Sequence, residues 1–158
     1  MKKSTLLLLI PIIIFSFACK KDSKIADIIN PTASMKCTIN GTPWSAITRV
    51  TTKQGNTFLI NGTGSLGNDV LNITVLGTTP GTYTLSTYSP PQTQFSATYT
   101  NSTSSTDSLY TAYEGTVTLS SVDTTAKKIS GTYTFKAKNL LLLNKSITGG
   151  TFTNLVYQ

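Results

Sequence analysis

The chain has 158 residues, only 12% of them charged, with 13 Lys and Arg against 6 Asp and Glu and no histidine. The lack of histidine removes His-based triads, His general bases and the commonest zinc and copper ligands. The formal charge of +7 is scattered, with no dense basic run and no RNA-binding aromatic motif, which argues against a nucleic-acid partner.

Lys2 and Lys3 precede an apolar run over residues 6–17, which leads into Ser16-Phe17-Ala18-Cys19-Lys20-Lys21. A positive start, a short apolar core and a small residue before a cysteine is the layout of a bacterial lipoprotein export signal. The run is shorter than the ~20 apolar residues that a membrane-spanning helix needs, and Pro11 interrupts it. Cleavage before Cys19 would remove residues 1–18 as the signal peptide and leave Cys19 as an acylated N-terminus in the membrane. Ser16 departs from the pattern, since such signals usually carry leucine there. Lys20 replaces the Asp that holds enteric lipoproteins in the inner membrane, which points to the outer membrane.

Residues 19–34 read as a flexible tether. Any helical turn around Ile25 would end at Asn30-Pro31, and Lys20, Lys21 and Lys24 lie where lipid head groups would be. Residues 35–158 form one domain, large enough to bury a core without a disulfide. With Cys19 acylated, Cys37 has no partner and reads as a small apolar core residue.

From Met35 onward the periodicity is two. Strands are predicted over residues 35–39, 47–53, 57–61, 70–76, 82–86, 95–99, 109–113, 115–122, 129–138 and 147–156. Asn40-Gly41 and Gln54-Gly55-Asn56 are turn sequences, and Thr79-Pro80-Gly81 has the residues of a type II turn. Residues 101–108 form a Ser/Thr-rich exposed loop, and Gly149-Gly150 marks a bulge. Trp44, after the Pro43 bend, is expected to plug one end of the core. Short strands rich in Thr predict an all-β fold, an antiparallel β-sandwich, with a partly open β-barrel as the alternative.

Candidate chemistry is sparse. The domain's acids are Asp69, Asp107, Glu114 and Asp123. A two-carboxylate glycosidase would need two of them roughly 5–10 Å apart, whereas three lie in predicted loops or turns. No catalytic residue, cofactor or metal site is therefore expected. Among the aromatics, Tyr88 and Tyr110 are the candidates for a surface that stacks on sugar, the others alternating with Thr and Ser as core residues do. Leu140, Leu141, Leu142 and Leu143 are the anomaly, four leucines in a connection between two strands. They either extend those strands and pack on a neighbouring loop, or form an exposed, lysine-rimmed tip that touches lipid or a partner protein.

The segments Ile39-Asn40-Gly41-Thr42-Pro43-Trp44, Thr79-Pro80-Gly81-Thr82-Tyr83, Ile129-Ser130-Gly131-Thr132-Tyr133-Thr134-Phe135 and Ile147-Thr148-Gly149-Gly150-Thr151-Phe152 together resemble an uncharacterised family of small lipoproteins of Bacteroidota. The resemblance implies the β fold and the envelope location and carries no catalytic residue. It also implies possible O-glycosylation at Asp-Ser/Thr sites, here Ser108 in Asp107-Ser108-Leu109 and Thr124 in Asp123-Thr124-Thr125. The expected function is thus that of a membrane-anchored cell-envelope lipoprotein with a non-catalytic binding or structural role. Its partners would be the membrane, through lipidated Cys19, and a glycan or an envelope protein. A carboxylate-dependent glycan-active enzyme and an accessory subunit of an outer-membrane nutrient-uptake complex are the alternatives.

Overall fold

Alternation of apolar and polar side chains from Ser34 to Val156 produces ten antiparallel strands. They are β1 (Ser34–Ile39), β2 (Thr42–Gln54), β3 (Thr57–Gly64), β4 (Val70–Val75), β5 (Gly81–Ser86), β6 (Gln92–Thr93), β7 (Phe95–Thr100), β8 (Leu109–Asp123), β9 (Lys128–Lys138) and β10 (Asn144–Val156). The structure, a computed structural model, describes residues 32–65, 69–88, 90–101 and 108–158. The expected signal peptide, Cys19 and nearly all of the expected tether lie outside the described residues, as does Asp107.

The expected sandwich is not what forms. The strands run in the order β8-β7-β4-β3-β2-β1-β10-β9, and β9 pairs with β8 again, from Thr111↔Lys138 to Asp123↔Lys128. This closes an eight-stranded barrel, neither a sandwich nor a partly open barrel. Period-two alternation is the same in all three architectures, and only long-range pairing distinguishes them. The 109–113 and 115–122 segments, expected as two strands, are one strand, β8, running through Gly115. The short β5–β6 hairpin stands beside the ring, where β5 pairs with residues 114–119 of β8 while β7 takes residues 109–111 of the same edge.

An eight-stranded barrel has an interior about wide enough for side chains to fill. Phe58, Phe95, Phe152, Met35, Ile60 and Leu71 fill it and are almost completely buried. The outward positions of β9 are Ser130, Thr132, Thr134, Lys136 and Lys138, none of them buried. Apolar inside and polar outside is the reverse of a membrane-spanning barrel, which turns its apolar residues to lipid. Trp44 closes one end, as expected, and Tyr157 closes the other, with its ring 5.1 Å from that of Phe58. The described core draws on residues 33–157.

Bulges set which residues face inward. In β2 the register shifts between Ala46 and Thr48, so Trp44 and Ala46 point in, then Arg49 and Thr51, while Ile47 and Val50 are left outside. In β8 a shift between Ala112 and Glu114 reconciles buried Tyr110 with buried Val117 and Leu119. In β10 shifts between Ile147 and Gly150, at the expected Gly149-Gly150 bulge, and between Phe152 and Leu155 do the same. Each extra residue moves the following side chains to the opposite face and bends the strand around the barrel.

The packing leaves no room at Gly131. A Cβ there would lie 2.2 Å from the Thr118 carbonyl oxygen and 2.5 Å from Cζ of Phe152. Gly131→Ala should therefore destabilise the barrel by about 1–3 kcal/mol, measured by urea denaturation, through a forced backbone shift. A second expectation concerns alkaline pH. Burial pushes the Cys37 thiol up to about 11, only partly offset by a hydrogen bond with Tyr133, and burial also raises the Tyr133 phenol. Both groups are held neutral in the folded state, so their contribution is complete below the ordinary thiol range and is lost as pH rises through 11. Thermal midpoints should fall from about pH 9 upward, and Cys37→Ala should flatten the early part of that fall.

Candidate functional site

Register places four connections at one end of the barrel. These are the Asn40-Gly41 turn, the segments joining β3 to β4 and β7 to β8, and the connection between β9 and β10. The chain enters β1 at the opposite end, where Ser34 pairs with Thr153 and Asn154 Nδ2 donates to Thr32 Oγ1 at 3.3 Å. Asn40 (φ 48) and Gly41 (φ 84) make a two-residue turn of the left-handed kind. Asn40 Oδ1 accepts from the Ser146 amide at 2.7 Å, which ties this turn to β10.

The four leucines lie at this end and are all exposed, at 80%, 60%, 70% and 55% for Leu140, Leu141, Leu142 and Leu143. They do not extend β9 or β10. Asn139, itself buried, holds the turn, because its carbonyl oxygen accepts from the Leu142 amide at 3.0 Å and its Oδ1 from the Leu143 amide at 2.9 Å. Leu142 adopts φ 62, a left-handed conformation that a leucine enters only with strain. Leu140 and Leu142 border a groove of about 550 Å³ on the outer wall, lined also by Leu109, Ala112, Tyr113 and Lys138. Lys138 Nζ stands 5.3 Å from the centre of the Tyr113 ring.

A smaller hollow of about 250 Å³ lies at the mouth, between Trp44, Asp69, Tyr99 and Lys145. Trp44 Nε1 donates to Asp69 Oδ2 at 2.7 Å, while Asp69 Oδ1 is buried with no hydrogen-bond partner. Lys145 Nζ lies 5.4 Å from the Tyr110 ring centre, and the Tyr110 and Tyr99 rings are 6.2 Å apart. Burial raises the Tyr99 phenol, and the nearby Asp69 charge adds to the shift.

The other expected site residues fall in different places. Tyr88 is 60% exposed, as a surface residue should be. Tyr110 is buried at 6% and is corrected to a core residue, because β8 points it inward ahead of the bulge. Ser108, expected in an exposed loop, is buried, and its carbonyl accepts from the Asn101 amide. Its hydroxyl is therefore a poor target for a sugar transferase in the folded protein. Thr124 is exposed in the β8–β9 turn. The described acids do not converge. Asp69 is at the mouth, Glu114 pairs on the outer wall with Lys136 at 3.2 Å, and Asp123 caps the turn at the far end by accepting from the amides of Thr125 and Ala126. No group of three or more His, Cys, Asp or Glu that could hold a metal occurs among the described residues. The sequence shows Asp69 only as one of four acids and gives no sign of its Trp44 partner, and Arg49 is buried only because of the β2 bulge.

The chain belongs to the family described as a domain of unknown function, DUF6252, whose model matches residues 31–156. The match spans the whole barrel, so barrel and family domain coincide. No curated protein and no solved structure matches the chain.

The strained position gives a direct test of what the leucine turn contributes to stability. Glycine adopts φ 62 freely, at the cost of a more flexible unfolded chain. Leu142→Gly should leave the barrel equally stable or raise its stability by up to about 1 kcal/mol in thermal or urea denaturation. A loss of more than that would mean that Leu142 packs in a way its 70% exposure contradicts.

Proposed function

We propose that this protein is a lipid-anchored lipoprotein of the bacterial cell envelope, held in the outer membrane through Cys19, whose barrel has a non-catalytic binding role. The anchor reading is supported by the run from Lys2 to Cys19 in the sequence. The binding reading is supported above all by one observation. The exposed leucines, the apolar groove and the mouth hollow all lie at the loop end, while the chain enters at the other end. The tether therefore does not cover the leucine end of the barrel. The filled interior supports a surface role over a ligand chamber. A glycan-active enzyme would need a second carboxylate beside Asp69, and among the described acids neither Glu114, on the outer wall, nor Asp123, at the far end, stands there. Of the two glycosylation positions, Thr124 is the accessible one.

Intact-mass measurement of the protein purified from its native membrane tests the anchor. The expected product starts at Cys19 and carries thioether-linked diacylglycerol. A free Cys19 thiol, or an N-terminus at another residue, would overturn the anchor and leave the barrel's binding role to be judged separately.

A further inference from the structure

We infer that the turn at residues 140–143 is a membrane-contact loop that inserts its leucines among the acyl chains of an anionic bilayer, with Lys138 and Lys145 at head-group level. The inference deepens the binding role proposed above, and its chemistry does not depend on Cys19.

Three observations carry it. The first is exposure against strain. A connection that served only to join β9 to β10 would carry Gly or Asn at the left-handed position and polar residues beside it. This turn instead has leucine at four consecutive positions, every one more than half exposed, with Leu142 at φ 62. Neither stability nor solubility favours that choice.

The second is charge. Lys138 lies on the outer wall, whereas Lys145 pairs with buried Ala137 and lines the mouth, so the two cations flank the turn on different sides. Lys136, one step further, is already paired with Glu114. The stretch from Phe135 to Gln158 contains no acidic residue, and Asp69, the described acid at this end, is turned to Trp44 with its other oxygen buried. Apolar side chains at a tip with cations just behind them match a surface whose acyl region lies beneath negatively charged head groups.

The third is shape and reach. Leu140 and Leu142 line the groove whereas Leu141 and Leu143 do not, and all four are exposed, so a partner seated in the groove would engage only two of them, whereas a bilayer takes all four. The loop end is also within range of the anchoring membrane. Residues 20–33 can extend to roughly 45 Å. A strand of 13 residues such as β10, tilted as in barrels of this size, rises only about 33 Å.

The test uses the chain from Lys20 onward, which contains all ten described strands and lacks the acyl acceptor. An environment-sensitive fluorophore is placed at Leu141→Cys. Buried Cys37, with its thiol pushed up to about 11, does not compete for the label. Vesicles of phosphatidylcholine containing about 30% phosphatidylglycerol should shift the emission to the blue, and lipids brominated near the head group should quench it. Phosphatidylcholine alone should do neither. In the unlabelled chain, Leu141→Ser with Leu142→Ser should weaken vesicle binding at least about tenfold. Lys138→Ser with Lys145→Ser should abolish the preference for anionic lipid. Leu142→Gly should weaken binding while keeping or raising the thermal midpoint, a combination that a structural role for this leucine does not produce. The inference fails if the folded, labelled chain shows no spectral change with anionic vesicles, including the case in which the leucines instead retain an envelope protein. Since this chain has no Cys19, a failure of acylation does not alter any of these readings.

Discussion

Everything in this structure depends on the pairing of β8 with β9, which turns a sheet into a ring. Without it the sheet would have β9 as a free edge, and the residues inside would face solvent. With it, Phe58, Phe95, Phe135 and Phe152 meet across a common interior, and two opposite ends become distinct. β8 is long enough to serve β7, β5 and β9 because it passes through Gly115 without breaking, and its two register shifts let it bend as it does so. The barrel's outer polar face and its end caps, Trp44 and Tyr157, follow from that closure.

Most strands were legible in the sequence because alternation is local. Ile129, Gly131, Tyr133, Phe135 and Ala137 share a face in β9 as their spacing predicts. Ring closure was not legible, since sandwich and barrel ask the same of each strand and differ only in which strands meet. The bulges were partly legible. Gly149-Gly150 announces one through its glycines, whereas the shift at Ile47 has no such signal, and it moves Ile47 and Val50 out and Arg49 in. The same parity argument explains Tyr110, which looked like a surface residue and is part of the core. Of the candidate site, the leucine turn was visible as a composition anomaly, but its exposure was undecided until β9 ended at Lys138 and Asn139 fixed the turn. The mouth hollow was invisible, because Trp44 and Asp69 are far apart in sequence and meet only through the barrel's register.

The two ends of the barrel are built differently. The end where the chain enters is closed by Tyr157, whose hydroxyl donates to the Asp123 carbonyl, and by the Asp123-capped turn. The loop end carries the features that ordinary folding does not require: a leucine at positive φ, four exposed apolar side chains, and a carboxylate oxygen buried without a partner. Such local departures from stability concentrate where a protein meets something else.

The pairing of β1 with β10 has a consequence for how the molecule comes into being. The first and last strands of the barrel are neighbours, so the ring cannot close until β10 has been made. Chains that end before β10 have β1 paired with β2 alone and leave the core open to water. Contacts of such long sequence separation make closure slow compared with hairpin formation. Local hairpins such as β2–β3 can form early, but a chain with this topology completes its core only in a late step that waits for β10.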